Sequence, residues 1–378
     1  MSNSSQILPA LIGPSPHGAT LRRRVGFTCG LAGLLAVTLA ALPGRAQEAK
    51  SRPVGFLVQT IPAGQTRSFS VPFDAAVSSQ AGTVGRVTAV GANTLDFAGA
   101  HWIPGAFSLA ASPYFVRLTT GAQAGRIFEI TTTANTATRL FLDTDGVDLT
   151  TLGLDVGPAG TAFEIIQGDT LATFFGSSVV GQDLVVQGAG EANRADLVQL
   201  WNGTGWLHYY FNTLWRRWAL DTDTVTDVSR DTVLLRSDRG LLITRRGDTP
   251  LDLAVVGRVL GVPQRAMHLR TENGRTFLAT MQTADVTLGA LALQTSDRTP
   301  GWCAAADSNQ ADLLAVWSGA TWFSFYYNDQ VGHWQRVGEP AGNRDDFVVQ
   351  AGTPVLVQRR RAATGFAERT VVFPVPGN

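Results

Sequence analysis

The chain has 378 residues, with 30 Lys and Arg against 30 Asp and Glu and a formal net charge of zero. Charged residues are only 16 % of the total, against about 25 % in ordinary soluble domains. Nothing in this composition resembles the basic surface of a nucleic-acid binder, so nucleic acid is excluded as a partner. Lys50 is the only lysine.

From the N-terminus, Arg22, Arg23 and Arg24 precede an apolar run from Val25 to Leu42, then Pro43 and Gly44-Arg45-Ala46. Basic residues, an apolar stretch and small residues in that order predict a secretory signal at 1–46, cleaved after Ala46. The competing reading is an uncleaved anchor, since the run approaches the roughly 20 residues that span a bilayer. Pro43 and Ala46 favour processing, and with it a periplasmic, cell-surface or extracellular location and no membrane span in the mature chain. Cys29 falls in the signal and leaves Cys303 alone. No internal disulfide is then expected, and burial must hold the domains together.

Beyond the signal, helical periodicity is almost absent. Short runs rich in Val, Thr, Phe, Leu and Trp alternate with Gly, Asp, Asn and Pro, which predicts an all-β chain of tandem β-sandwich or barrel-like domains. Residues 84–90 (VGRVTAV) and 93–99 (NTLDFAG) read as a strand pair broken near Gly91-Ala92-Asn93. A hairpin is predicted from Tyr114–Leu118 and Arg126–Ile130 around Gly121 to Gly125, with Tyr114, Val116 and Leu118 on one face to meet Phe128 and Ile130. These elements are assigned to an N-terminal β-domain at 47–168.

The rest of the chain repeats itself. Residues 195–218 (ADLVQLWNGTGWLHYYFNTLWRRW) and 311–334 (ADLLAVWSGATWFSFYYNDQVGHW) align without a gap at an offset of 116, with nine identities. These are Ala195/Ala311, Asp196/Asp312, Leu197/Leu313, Trp201/Trp317, Gly203/Gly319, Trp206/Trp322, Tyr210/Tyr326, Asn212/Asn328 and Trp218/Trp334. After a two-residue deletion, 231–246 matches 345–360, ending in Arg245-Arg246 and Arg359-Arg360. Leu171-Ala172-Thr173 corresponds loosely to Leu278-Ala279-Thr280, and Val262-Pro263 echoes Val375-Pro376. Two copies of one module are therefore expected, at 169–263 and 264–378, packed together without a long linker.

Strand alternation divides the repeat. Trp206, His208, Tyr210 and Asn212 share one face, and Leu207, Tyr209 and Phe211 the other. In the second copy the faces are Trp322, Ser324, Tyr326, Asn328 and Phe323, Phe325, Tyr327. The all-apolar face is core. The face with Trp206, Tyr210, Asn212, Trp322, Tyr326 and Asn328 is either a second buried face, with the amides capping turns, or an exposed platform for stacking on sugar rings.

Two aspartate clusters, Asp143-Asp145-Asp148 and Asp221-Asp223-Asp227, open like calcium loops. The first lacks the glutamate that closes such a loop, and solvated turns between strands account for both, so no metal or cofactor is assigned. His101, His208, His268 and His333 are isolated, with neither a zinc-type histidine pair nor a nucleophile elbow. No catalytic residue is assigned. The arginine pairs are read as solvated strand ends.

The set formed by Ser70-Val71-Pro72-Phe73, the Gly121/Gly125-Arg126 hairpin and the W-x-G-x-x-W…Y-x-N…W…RR block resembles an uncharacterised family of secreted, β-rich bacterial proteins with many paralogues per genome. The resemblance spans most of 53–246 and implies export and a surface or envelope role, with no reaction attached. This chain differs in carrying a second aromatic module and no evident sorting tail after Val372. The expected function is thus that of an exported, non-enzymatic structural or interaction protein whose partner is a surface polymer or another envelope protein. The alternatives are a carbohydrate-binding protein using the repeated Trp/Tyr faces and a secreted carboxylate hydrolase.

Overall fold

The computed structural model describes residues 54–71, 73, 83–110, 112–177, 183–224, 228–259, 264–268, 274–280, 282–360 and 370–374. The segment 1–46 expected to be a signal, Asp227 and the two Val-Pro echoes lie outside them. The architecture is almost entirely antiparallel β. Helix among these residues is limited to α1 (Leu171–Phe175), α2 (Leu288–Leu291) and one 3-10 turn at Leu149–Thr151. None of these is long and apolar enough to cross a membrane.

In chain order, β1 (Val54–Ile61) and β2 (Thr66–Phe69) come first. Then follow β3 (Val84–Arg86), β4 (Ala89–Gly91), β5 (Thr94–Asp96), β6 (Tyr114–Leu118), β7 (Ile127–Ile130), β8 (Arg139–Asp143) and β9 (Ala162–Gln167). Next are β10 (Asp169–Thr170), α1, β11 (Leu197–Trp201), β12 (Trp206–Asn212), β13 (Arg217–Leu220), β14 (Leu234–Leu235), β15 (Leu241–Thr244) and β16 (Leu251–Arg258). The last set is β17 (Gln264–His268), β18 (Arg275–Leu278), β19 (Val286–Thr287), α2, β20 (Leu313–Trp317), β21 (Trp322–Asn328), β22 (His333–Arg336), β23 (Val348–Val349), β24 (Val355–Gln358) and β25 (Thr370–Pro374).

The duplication is visible in every sheet outside β3–β9. One five-stranded sheet has the order β13-β12-β11-β15-β2 and the other β22-β21-β20-β24-β18, the same path in both copies. Ribbon β1–β16 matches β17–β25, and ribbon β10–β14 matches β19–β23. β1 and β2, although N-terminal to the expected boundary at 168, pair with the aromatic module, Ile61 opposite Leu251 and Phe69 opposite Leu241. The first module is therefore discontinuous, and residues 83–167 stand where the second has only the link 279–285. The same topology corrects one correspondence. Leu278 ends β18 and is equivalent to Phe69, whereas Leu171 opens α1 and is equivalent to Leu288, each helix being capped by a threonine, Thr170 or Thr287. Three matching residues in a row had no constraint from strand pairing behind them.

The inserted sheet has the order β3-β9-β6-β7-β8-β5-β4. Residues 84–90, read above as one strand, are divided at Val87-Thr88 between its two opposite edges. Two residues can join opposite edges only if the sheet curls, and it forms a half-barrel. Its concave side holds Val116, Leu118, Phe128, Ile130, Phe163 and Ile165, as the alternation in the β6–β7 hairpin requires. Each module has its own core as well, centred on Trp218 in the first and Trp334 in the second, both fully buried.

A buried carboxylate recurs in the modules. Asp196 Oδ1 accepts the Arg246 N–H at 2.7 Å, and Oδ2 accepts the Gln187 N–H at 2.7 Å and Arg245 Nη1 at 2.5 Å. Asp312 Oδ1 accepts the Arg360 N–H at 2.7 Å, and Oδ2 accepts the Cys303 N–H at 2.8 Å and lies 2.9 Å from Arg359 Nε. Arg245 and Arg359 are buried partners of this group rather than solvated strand ends. Asp312→Ala leaves Arg359 charged and buried, and the expected loss is about 3–5 kcal/mol of stability, measured as a fall in the urea midpoint. Asp196→Ala should behave in the same way.

Candidate functional site

The W-x-G-x-x-W signature is a hairpin. Trp201 stands opposite Trp206 and Trp317 opposite Trp322, at the ends of β11–β12 and β20–β21. Both ring pairs meet edge-on with centroids 5.3 Å apart. The four-residue turns need Gly203 and Gly319 for their φ of 102° and 99°, a region that side chains with a Cβ avoid. Three of the nine identities, Trp201, Gly203 and Trp206 with their counterparts, are thus explained as one turn and one cross-strand pair.

The two hairpins face each other. Trp206 and Trp322 stack with ring planes 15° apart and centroids 6.4 Å apart. Phe277 meets both rings edge-on, at 5.2 Å and 5.7 Å. Trp201 Nε1 donates to the Arg275 carbonyl at 3.0 Å, and Trp317 Nε1 donates to the Thr66 carbonyl at 2.9 Å. Arg275 and Thr66 are equivalent first residues of the edge strands β18 and β2. The pattern continues where Ser70 N–H bonds the Gly352 carbonyl and Ala279 N–H bonds the Asp238 carbonyl. Equivalent positions touching each other and exchanging reciprocal bonds are the mark of two-fold association, here inside one chain. Gly240 lies on this axis, because a Cβ there would come within 2.3 Å of Cβ of its counterpart Pro354.

The six candidate binding residues therefore separate into two groups. Tyr210 and Tyr326 are buried, packed on Ala195, Leu197 and Ala219 in one module and on Ala311 and Leu313 in the other. Asn212 Oδ1 accepts the Leu214 and Trp215 N–H groups, and its amide donates to Tyr210 Oη at 3.0 Å. Asn328 Oδ1 accepts the Gln330 and Val331 N–H groups, and its amide donates to Gln335, which also takes the Tyr326 hydroxyl proton. These four residues fit the core-and-turn alternative. Trp206 and Trp322 are half-buried and spent on each other.

The aspartates bind protein groups. Asp143 accepts the Asp145 N–H, Asp148 caps the 3-10 turn, and Asp145 pairs with Arg239 at 3.0 Å. Asp221 pairs with His208 and Asp223 with Arg230. Among the described residues no cluster of His, Cys, Asp and Glu has a metal-holding arrangement.

Sequence reasoning missed the seam between the inserted sheet and the first module. Arg236 and Arg239 of the module face Asp145 of the insert, with Asp238 beside them. Burial penalises the Asp238 carboxylate, but the charges of Arg236 and Arg239 outweigh it and hold its pKa below the usual range. Farther along, Arg258 of β16 reaches Glu164, which is also bound by Arg117. Beside Arg236 and Arg239 lies a cavity of about 160 Å³. Its walls are mainly apolar, from Phe115 and Ile166 of the insert and Phe73, Phe174, Leu200 and Leu235 of the module. Asp169, Ser237, Arg236 and Arg239 also reach it. Burial pushes the Asp169 carboxyl up, partly offset by a hydrogen bond from Thr173.

No family model matches the chain, and no curated protein or solved structure shows significant similarity to it.

Two outcomes follow. Trp206→Ala and Trp322→Ala should each destabilise the protein, and their double-mutant cycle should show a coupling of about 0.5–1.5 kcal/mol, read from chemical denaturation. The raised pKa of Asp169 means that its contribution is most favourable below the ordinary aspartate pKa of about 3.9 and is lost as pH rises through the folded value. Asp169→Asn should accordingly melt at or above the wild-type temperature at pH 7, with the difference vanishing toward pH 3.5.

Proposed function

We propose that the chain is an exported, non-enzymatic β-scaffold acting at the cell surface or in the envelope through its interactions with other envelope components. The observation that carries this reading is the use of the repeated aromatics. The residues best suited to a sugar platform lock two modules together instead, Trp206 against Trp322 and Trp201 and Trp317 onto the opposite edge strands. What the duplication builds is a paired base from which the inserted half-barrel at 83–167 is presented, held by ion pairs on both flanks of its seam. The order of basic, apolar and small residues along 1–46 and the resemblance to secreted β-rich proteins support export.

The test combines location with the Trp206→Ala variant. Expected are an extracytoplasmic protein whose intact mass places its N-terminus near Ala46, and a variant that loses melting temperature while polysaccharide pull-down of wild type and variant is the same. A stable Trp206→Ala protein with lost polysaccharide retention would instead establish the carbohydrate-binding alternative, and full-length chain in the membrane pellet would establish the anchor.

A further inference from the structure

The inserted half-barrel carries a groove of its own, away from the seam. It opens where β5 ends and β8 begins, while the seam acid Asp145 lies just beyond the other end of β8. We propose that this groove binds one sugar unit of a neutral surface polysaccharide. The proposal rests on the scaffold reading above and names the envelope component that the insert meets.

The polar groups of the groove are held side by side by bonds to one another. Arg139 Nε donates to Asp96 Oδ1 at 2.7 Å and Nη2 donates to Oδ2 at 2.8 Å, a two-point pair between directly opposite residues of β5 and β8. Thr88 Oγ1 donates to the Asp96 carbonyl at 3.0 Å, and Thr136 Oγ1 accepts the Arg139 N–H at 3.0 Å. Both charged side chains reach solvent, Arg139 at 49 % and Asp96 at 20 % exposure, and Thr136 and Thr138 are exposed. Each carboxylate oxygen keeps a lone pair for a further donor, and the guanidinium keeps the N–H groups that Asp96 does not use.

Charge and lining select the ligand. The two charges cancel within the pair, so a phosphate or an ammonium group finds no uncompensated partner. The other lining residues are Ala89 and Ala98. With no aromatic or long apolar side chain in the lining, a hydrophobic ring gains little burial there. A sugar ring offers adjacent hydroxyls that donate to the carboxylate and accept from the guanidinium, bonds strengthened by the charge on each protein group. Its C–H face can lie on the two alanine methyl groups. The groove, of about 340 Å³, is open to solvent. That suits one unit of a continuing chain better than a free small molecule, which usually buries most of its surface.

The experiment is calorimetric titration of the full-length protein with neutral hexasaccharides of glucose, mannose, galactose and N-acetylglucosamine, with inorganic phosphate and tetramethylammonium as comparison probes. Expected are saturable one-to-one binding of at least one hexasaccharide and none of either ion. Arg139→Ala should weaken that binding about ten-fold or more, the effect of losing a hydrogen bond to a charged group. Its melting temperature should barely change, because an exposed ion pair adds little stability. Ala98→Trp, at an exposed position, fills the groove and should abolish binding, whereas Trp206→Ala should leave the affinity unchanged. Failure of all four sugars to saturate overturns the proposal. So does binding that persists in Ala98→Trp, that is as tight in Arg139→Ala as in wild type, or that is stronger for either ion than for every sugar. The titration does not depend on where the protein resides. Its failure leaves export standing, and an intracellular protein that binds sugar through this groove overturns export alone.

Discussion

A charged carboxylate without water is the constraint on which each module is organised. Asp196 and Asp312 are wholly buried, and an ionised group in that position is tolerable only when its lone pairs are met. Each is met from three directions: the backbone of the strand end at Arg246 or Arg360, the backbone of the preceding loop at Gln187 or Cys303, and a guanidinium. Those directions fix where β11 lies against β15, and β20 against β24, before any apolar side chain is considered. The tryptophan hairpins extend from the same strands, so their position at the module interface is inherited from the buried acid.

The interface then shows how a two-fold arrangement matures inside one chain. In separate identical subunits both sides of an axis must carry the same residue. Fusion releases that requirement. Ser68 and Phe277 occupy equivalent register positions, opposite Leu242 and Leu356. The small residue on one side leaves room, while the large one on the other wedges between Trp206 and Trp322. Gly240 and Pro354 make the same kind of exchange at the axis. Gly240 N–H bonds the Phe277 carbonyl, and the reciprocal bond is closed to Pro354, which has no N–H.

Much of this was legible in the chain. The gapless repeat foretold two modules with a shared strand order, and period-2 alternation correctly placed Leu207, Tyr209 and Phe211 in the core. The β6–β7 hairpin was readable because its turn glycines and alternating faces are local. What escaped was non-local. β1 and β2 belong to the first module because of partners near residue 250, and nothing within their own few residues says so. Arg245 and Arg359 looked solvated because the acids they meet, Asp196 and Asp312, lie far upstream. For Trp206 and Trp322, alternation names a face but not what covers it, and the cover here is the second copy. The cavity was invisible for the same reason, since its walls come from segments about a hundred residues apart.

The insertion also sets an order of assembly. The second module is continuous, and β17 needs only the arrival of β25 to complete its ribbon. In the first, β1 and β2 leave the synthesis machinery early and find their partners β16 and β15 only after the whole half-barrel and most of the repeat have followed. Contacts between segments so far apart in sequence form slowly, and unpaired strands are open to wrong pairing meanwhile. β1 is the exposed case, with Val54 and Phe56 more than half accessible even in the finished fold. During N-terminal-first emergence β1 and β2 are the strands whose partners, β16 and β15, have yet to be made.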